Sequence, residues 1–215
     1  MLEVKNLHLL KMEESSLVNF DVEPGTVLQI KGEPGSGKTK LFKILSGVLR
    51  PLAGDVFLDG VSLYNSDFIN LAISRKKLGV IFEEPNILSN LTLAQNIEFI
   101  LNSRFMDWDD NVDKLIEIFF LKNYLNFRKL NLSRDAIKRF NFLKVVLCRG
   151  KLLVFDEISL SEIKSANDYF FNYLFSNNTD RSIVLIGDVP NQITKFIDNY
   201  YEITGNDIIG LKNAG

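Results

Sequence analysis

Only one cysteine, Cys148, stands in 215 residues, so no internal disulfide can staple the fold, as suits a reducing compartment. Excess positive charge is also missing. The formal net charge is −2, and no nucleic-acid partner is expected. No stretch approaches the ~18 apolar residues of a membrane span. The longest greasy pieces, Leu115 to Leu121 and Tyr169 to Phe175, are interrupted by Glu117 and Asn172. Met1-Leu2-Glu3-Val4-Lys5 puts an acid where an export signal carries a basic and then an apolar stretch. A protein of this kind reaches a membrane only through another chain. Repeats and low-complexity tracts are absent, and the single histidine, His8, reads as a strand or surface residue because it has no partner cluster.

What is present describes one sizeable core, in a chain too short for two ordinary domains. Hydrophobic residues make up 46% and charged residues 24%, a globular balance. The 17 phenylalanines read as core filling rather than a ligand box.

Periodicity predicts strands over Leu2 to Leu7, Leu17 to Val22, Val27 to Ile30, Gly54 to Leu58 and Leu78 to Phe82. Glu23-Pro24-Gly25 and Asp59-Gly60 mark turns. Lys38 to Val48 carries Leu41, Phe42, Leu45 and Val48 at helical spacing. The middle is helical in three pieces, Ser89 to Asn102, Asp109 to Leu121 and Ser133 to Cys148, with Ser89 and Ser133 placed as N-caps. Strands return at Lys151 to Phe155 and Ser182 to Ile186 around a helix from about Leu160 to Phe175. A closing hairpin joins Tyr200 to Thr204 with Ile208 to Leu211. The strands of both ends are expected to share one sheet of an α/β core, its apolar runs buried on both faces.

Two motifs carry chemistry. Gly32-Glu33-Pro34-Gly35-Ser36-Gly37-Lys38-Thr39 fits G-x-x-x-x-G-K-[ST] without a mismatch, between a predicted strand and a predicted helix. Glycines at this spacing let successive N–H groups turn inward around phosphates, and the following helix adds its positive end, so the nucleotide-binding residues expected run from Gly32 through Lys40. Lys38 reaches the β and γ phosphates and the Thr39 hydroxyl ligates Mg²⁺. Further along, Lys151 to Phe155 is a buried strand ending in Asp156-Glu157. Beside a phosphate loop, Asp156 holds Mg²⁺ and Glu157 polarises the attacking water.

With the helical insert and Leu132-Ser133 opening a helix, these motifs make the chain resemble an ABC-type ATPase domain over nearly its whole length. Glu23-Pro24-Gly25, Leu49 to Gly60, and Leu78 to Ile97 add to the likeness. The last of these resembles the segment the family uses to touch its membrane partner. The resemblance implies a P-loop NTPase with a mostly parallel core sheet, an antiparallel β subdomain and a helical insert. Residues 1–88 and 149–215 would form the nucleotide-binding core and 89–148 the helical subdomain. It also implies ATP and Mg²⁺ as ligands, a homo- or heterodimer of ATPase domains, and an integral membrane partner subunit. The chain would then sit at the cytoplasmic face of the membrane through that partner.

The departures from the family pattern are specific. Glu83 stands where the family has a glutamine after its Val-Phe, where it would ligand Mg²⁺ or orient water. The family's LSGGQ signature appears as Leu132-Ser133-Arg134-Asp135-Ala136, placing side chains where glycines let one subunit's helix end approach the other's γ-phosphate. Arg134 there would act like an arginine finger, and Asp135 would repel phosphate. Asp188 occupies the switch-histidine position and as a carboxylate cannot donate a hydrogen bond. The aromatic adenine platform is missing near Lys11-Met12, and Ile158 to Glu162 lacks the family's usual loop pattern. Groups acting on phosphate within one subunit are kept, and those acting across the dimer or as switches are altered. The expectation is an ATPase of slow turnover that drives or regulates a transmembrane partner. The alternative is a degenerate subunit that binds nucleotide for assembly or regulation, paired with an intact ATPase. A P-loop kinase fits less well, since the acidic pair lies far along the chain and an arginine-rich lid is lacking. A soluble relative acting on DNA or ribosomes would carry paired domains or long insertions.

Overall fold

A computed structural model describes residues 1–9, 17–65, 68–81, 87–156, 168–176, 178–204 and 207–211. Strands β1 (Leu2–Leu7), β2 (Val18–Val22), β4 (Asp55–Leu58) and β5 (Val61–Ser62) form an antiparallel sheet in the order β2-β1-β4-β5. A second sheet joins β3 (Val27–Gly32), β6 (Leu78–Val80), β7 (Leu152–Asp156), β8 (Ser182–Ile186), β9 (Asn199–Thr204) and β10 (Asp207–Leu211). Its order is β10-β9-β3-β8-β7-β6, parallel from β9 to β6, with β10 returning antiparallel.

The expectation of one shared sheet is therefore corrected. Of the early strands, only β3 and β6 join the C-terminal ones. The side chains explain the split. β2 alternates buried with exposed positions, and β1 does so as far as Lys5, its register shifting between Val4 and Leu7, which suits an antiparallel sheet with one solvated face. β8 is buried at every position, as are the first four residues of β3 and of β7. Leu153, Phe155, Ile183 and Leu185 pack on one face with Phe142 and Phe175. Leu152, Val154, Val184 and Ile186 pack on the other with Leu41 and Phe42.

Helix α1 (Lys38–Leu45) follows β3, α2 (Phe68–Lys76) precedes β6, and α3 (Leu93–Ser103), α4 (Asp110–Ile118) and α5 (Arg134–Leu147) fill the middle of the chain. Helices α6 (Asp168–Ser176) and α7 (Asn191–Thr194) flank β8. α1 ends before Val48 because Gly47, at φ 72, takes the left-handed turn that closes a helix. Ser89 is not a cap. α3 starts after Thr92, whose hydroxyl accepts from Gln95 N while the Gln95 side chain accepts from Thr92 N, a reciprocal pair Ser89 cannot form. Asp109 and Ser133 cap α4 and α5. α2 went unpredicted: Ile73 in its middle is 50% exposed, and the sequence there offers no single apolar stripe. His8 lies just past β1, half-buried, its N–H donating to Ala53 O. Among the described residues no helix is long and apolar enough to cross a membrane.

Candidate functional site

β3 runs fully buried through Ile30 and leaves the sheet at Gly32, where a tight loop leads into α1. Gly35 and Gly37 both take positive φ, 86 and 97, a conformation that L side chains resist. Gly32 is required for closeness instead. A Cβ there would lie 2.8 Å from Ile203 O and 2.7 Å from Ser36 Oγ. Gly37 is the N-cap of α1 and no side chain caps the helix. The first intrahelical donor from the cap onward is Leu41 N, to Gly37 O, so the opening N–H groups of α1 have no partner within the helix.

Two polar groups in the loop are arranged for a ligand. The Lys38 ammonium folds back across the loop, donating to Glu33 O at 3.0 Å and to Gly32 O. Ser36 is buried and its Oγ has no hydrogen-bond partner. An unpaired buried hydroxyl costs about 1–3 kcal/mol, which an incoming acceptor oxygen relieves. A cleft of about 330 Å³ opens over the loop, lined by Lys31, Gly32, Glu33, Pro34, Lys38, Gly187, Asp188 and Glu202. Orphaned helix amides, an ammonium and a free hydroxyl fit a phosphate chain.

Of the predicted residues, Gly32, Glu33, Pro34, Lys38 and Asp188 thus meet at one cleft. Gly35, Ser36, Gly37, Thr39 and Lys40 continue the same loop into α1, with Thr39 exposed in the first turn. Asp156 ends β7 half-buried, opposite Ile186 of β8. Because β3, β8 and β7 are parallel neighbours, the phosphate loop, Asp188 and Asp156 all lie at the carboxyl edge of one sheet, where such sheets bind ligands. Glu83 and Glu157 lie outside the described residues, as do Lys11-Met12 and Ile158 to Glu162.

Sequence reasoning overlooked Gln29. It is 1% exposed in β3, and its Nε2 donates to Gly187 O at 2.8 Å while Gly187 N donates to Ile30 O at 2.8 Å. Gly187, at φ 97, is thereby clamped beside the loop strand, and Asp188 follows it at the cleft, exposed. One amide among Val27, Leu28 and Ile30 was the available signal. Glu202, paired in register with Lys31, was likewise unforeseen. The cleft therefore sets Lys31 and Lys38 among three carboxylates, Glu33, Asp188 and Glu202.

The signature residues do not line this cleft. Ser133 and Arg134 are exposed at the start of α5, and the Ser133 hydroxyl accepts from Ala136 N at 3.1 Å. Asp135, expected to repel phosphate, forms an ion pair with Arg139 at 2.6 Å. Arg139 had not been singled out.

The profile of the family described as ABC transporter matches residues 16–159. The chain is similar to a methionine import ATP-binding protein, MetN, of Helicobacter pylori (strain HPAG1), 27% identical over 89% of this chain and 60% of that protein. It is similar to an energy-coupling factor transporter ATP-binding protein, EcfA1, of Mycoplasmopsis synoviae (strain 53), 30% identical over 66% of this chain and 54% of that one. It thus spans a little over half the length of these relatives. Among solved structures, a dimeric ATP-binding cassette in a post-hydrolysis state bound to ADP and Pi superposes over 100% of both chains, with TM-score 0.81 and 19% identity. That likeness fixes the α/β fold.

Proposed function

The chain belongs to the ABC transporter family, and from that membership we propose that it is the ATP-binding subunit of a membrane complex. It binds Mg-ATP on residues Gly32 to Lys40, hydrolyses it slowly, and so drives or regulates a transmembrane partner. It acts as one of two paired ATPase domains, peripheral at the cytoplasmic face through that partner. In this reading residues 1–88 and 149–215 form the nucleotide-binding unit and 89–148 the helical one. The observation that carries the proposal is the loop itself: left-handed Gly35 and Gly37, the uncapped start of α1, and Ser36 Oγ buried without a partner.

Each residue then has a task. The backbone N–H groups of the loop and the Ser36 hydroxyl hold phosphate oxygens, and Lys38 exchanges two carbonyl partners for the β and γ phosphates. Thr39 and Asp156 would hold Mg²⁺, with Glu83 as a further ligand or a group orienting water, and the ion would supply positive charge against the phosphates. Glu157 polarises water. Ser133 and Arg134 face the nucleotide of the paired domain. Asp188 adds a carboxylate where a donor would stabilise the transition state, and one missing donor of that sort costs ~3 kcal/mol. Slow turnover follows.

The steady-state ATPase rate of the wild type against Glu157→Gln is the deciding comparison. A slow wild-type rate that falls to background in the variant supports a working ATPase. Equal background rates would favour the nucleotide-binding, non-hydrolysing reading, and tens of turnovers per second would refute slow turnover.

A further inference from the structure

An aspartate in the first turn of α5 sits badly with a helix end proposed to approach phosphate, since it brings like charge into the gap. The structure gives that carboxylate a partner. Asp135 Oδ2 lies 2.6 Å from Arg139 Nη2, one helical turn further along. A long arginine leans back over the preceding turn of its helix, which lets the pair close.

Arg139 is itself tethered. Its Nη1 donates to Phe120 O at 3.0 Å and to Phe119 O at 3.5 Å. Its guanidinium lies 5.7 Å from the centroid of the Tyr124 ring. Those carbonyls close the C-terminal end of α4, where unpaired carbonyls and the helix dipole attract a cation. Only 17% of the Arg139 side chain is exposed. Arg134, by contrast, stands exposed as the first residue of α5.

We infer that Arg139 is a positioning residue: it draws Asp135 back along α5 and offsets its charge, so that the capped helix end and Arg134 meet the paired domain's phosphate without a repelling carboxylate. The inference rests on the proposed cross-dimer role of α5 and removes the repulsion that the bare sequence implies. The arginine-aspartate signature is then a substituted recognition surface rather than a broken one.

The test is nucleotide-driven pairing of the full chain, read by analytical ultracentrifugation with Mg²⁺ and a non-hydrolysable ATP analogue. Wild type pairs. Arg139→Met requires about tenfold more analogue, because the Asp135 charge has lost the guanidinium that draws it back along α5. Arg139→Lys, which keeps the charge and loses the fork, falls between. The double variant Arg139→Met with Asp135→Asn returns to wild-type pairing while melting no higher than Arg139→Met alone, a combination that a purely structural role for Arg139 cannot give. Calorimetry of analogue binding to monomer, and thermal melts of each variant, separate pairing from folding. Equal impairment of the single and double variants overturns the inference, as does unimpaired pairing of Arg139→Met. A wild type that binds analogue but never pairs overturns the cross-dimer reading along with it.

Discussion

Gly37 shows how little freedom the loop has at single positions. It holds φ 97, and a Cβ there would lie 3.3 Å from Leu9 Cβ. Gly37→Ala should therefore destabilise the fold by about 1–2 kcal/mol from backbone strain alone, and a thermal melt would check it. Gln29 makes a subtler case. Gln29→Leu removes the donor to Gly187 O along with an orphaned Oε1, so the two effects on stability nearly cancel. The segment at Gly187 and Asp188 should loosen, seen as faster amide exchange there with a melting temperature changed by only a few degrees. The loop was legible because its residues are contiguous and their spacing is dictated by backbone chemistry. Gln29 and Arg139 were not, since Gln29 acts on Gly187, 158 positions away, and Arg139 on Phe120, 19 away. Sequence spacing alone carries no hint of such partners.

Among elements, those with a strong local stop or start were read closely. Ser182–Ile186 is strand β8 with the boundaries expected, because four consecutive buried apolar residues, Ile183 to Ile186, admit little else. Ser133 caps α5 as its position before a periodic run suggests. Ser133→Ala should cost about 1 kcal/mol of stability, a drop of roughly 2–4 °C in a chain of this size. That cost must be measured before any loss of nucleotide-driven pairing is ascribed to recognition. α3 starts later than expected because Thr92, three residues past Ser89, is the better cap. Only Thr92 has Gln95 at the distance that completes a reciprocal pair. α2 escaped because a helix with Ile73 half exposed lacks the periodic stripe on which detection depends.

At the scale of the whole molecule, the α/β class and the helical middle were readable from periodicity, while the antiparallel sheet beside the mostly parallel one was foreseen only through the family resemblance. Alternation told β1 and β2 apart from β3, β7 and β8, yet pairing order depends on long-range register that no local pattern encodes. One tie between the sheets is testable by pH. Asp59, in the turn between β4 and β5, accepts from the Met1 ammonium at 3.0 Å and from Lys77, next to β6, at 3.3 Å. Burial opposes its ionisation, but these hydrogen bonds and charges outweigh it and hold the carboxyl below its ordinary 3.8. A depressed carboxyl stabilises the fold fully above the unfolded value, and the contribution fades as pH falls through the folded one. Asp59→Asn, which tolerates the left-handed φ of 52 found there, should flatten that acid limb of the stability curve by lowering stability at neutral pH, where the ionised carboxyl contributes in full, and leave the acid end little changed.

Titration calorimetry of Mg-ATP into the wild-type chain and into Lys38→Ala bears most directly on the central claim, that residues 32–40 grip a triphosphate. The account predicts saturable heat with one nucleotide per chain for the wild type, and affinity at least about tenfold weaker when the charge-assisted bonds of Lys38 are removed. No heat from the wild type, or identical isotherms for the two proteins, would contradict it.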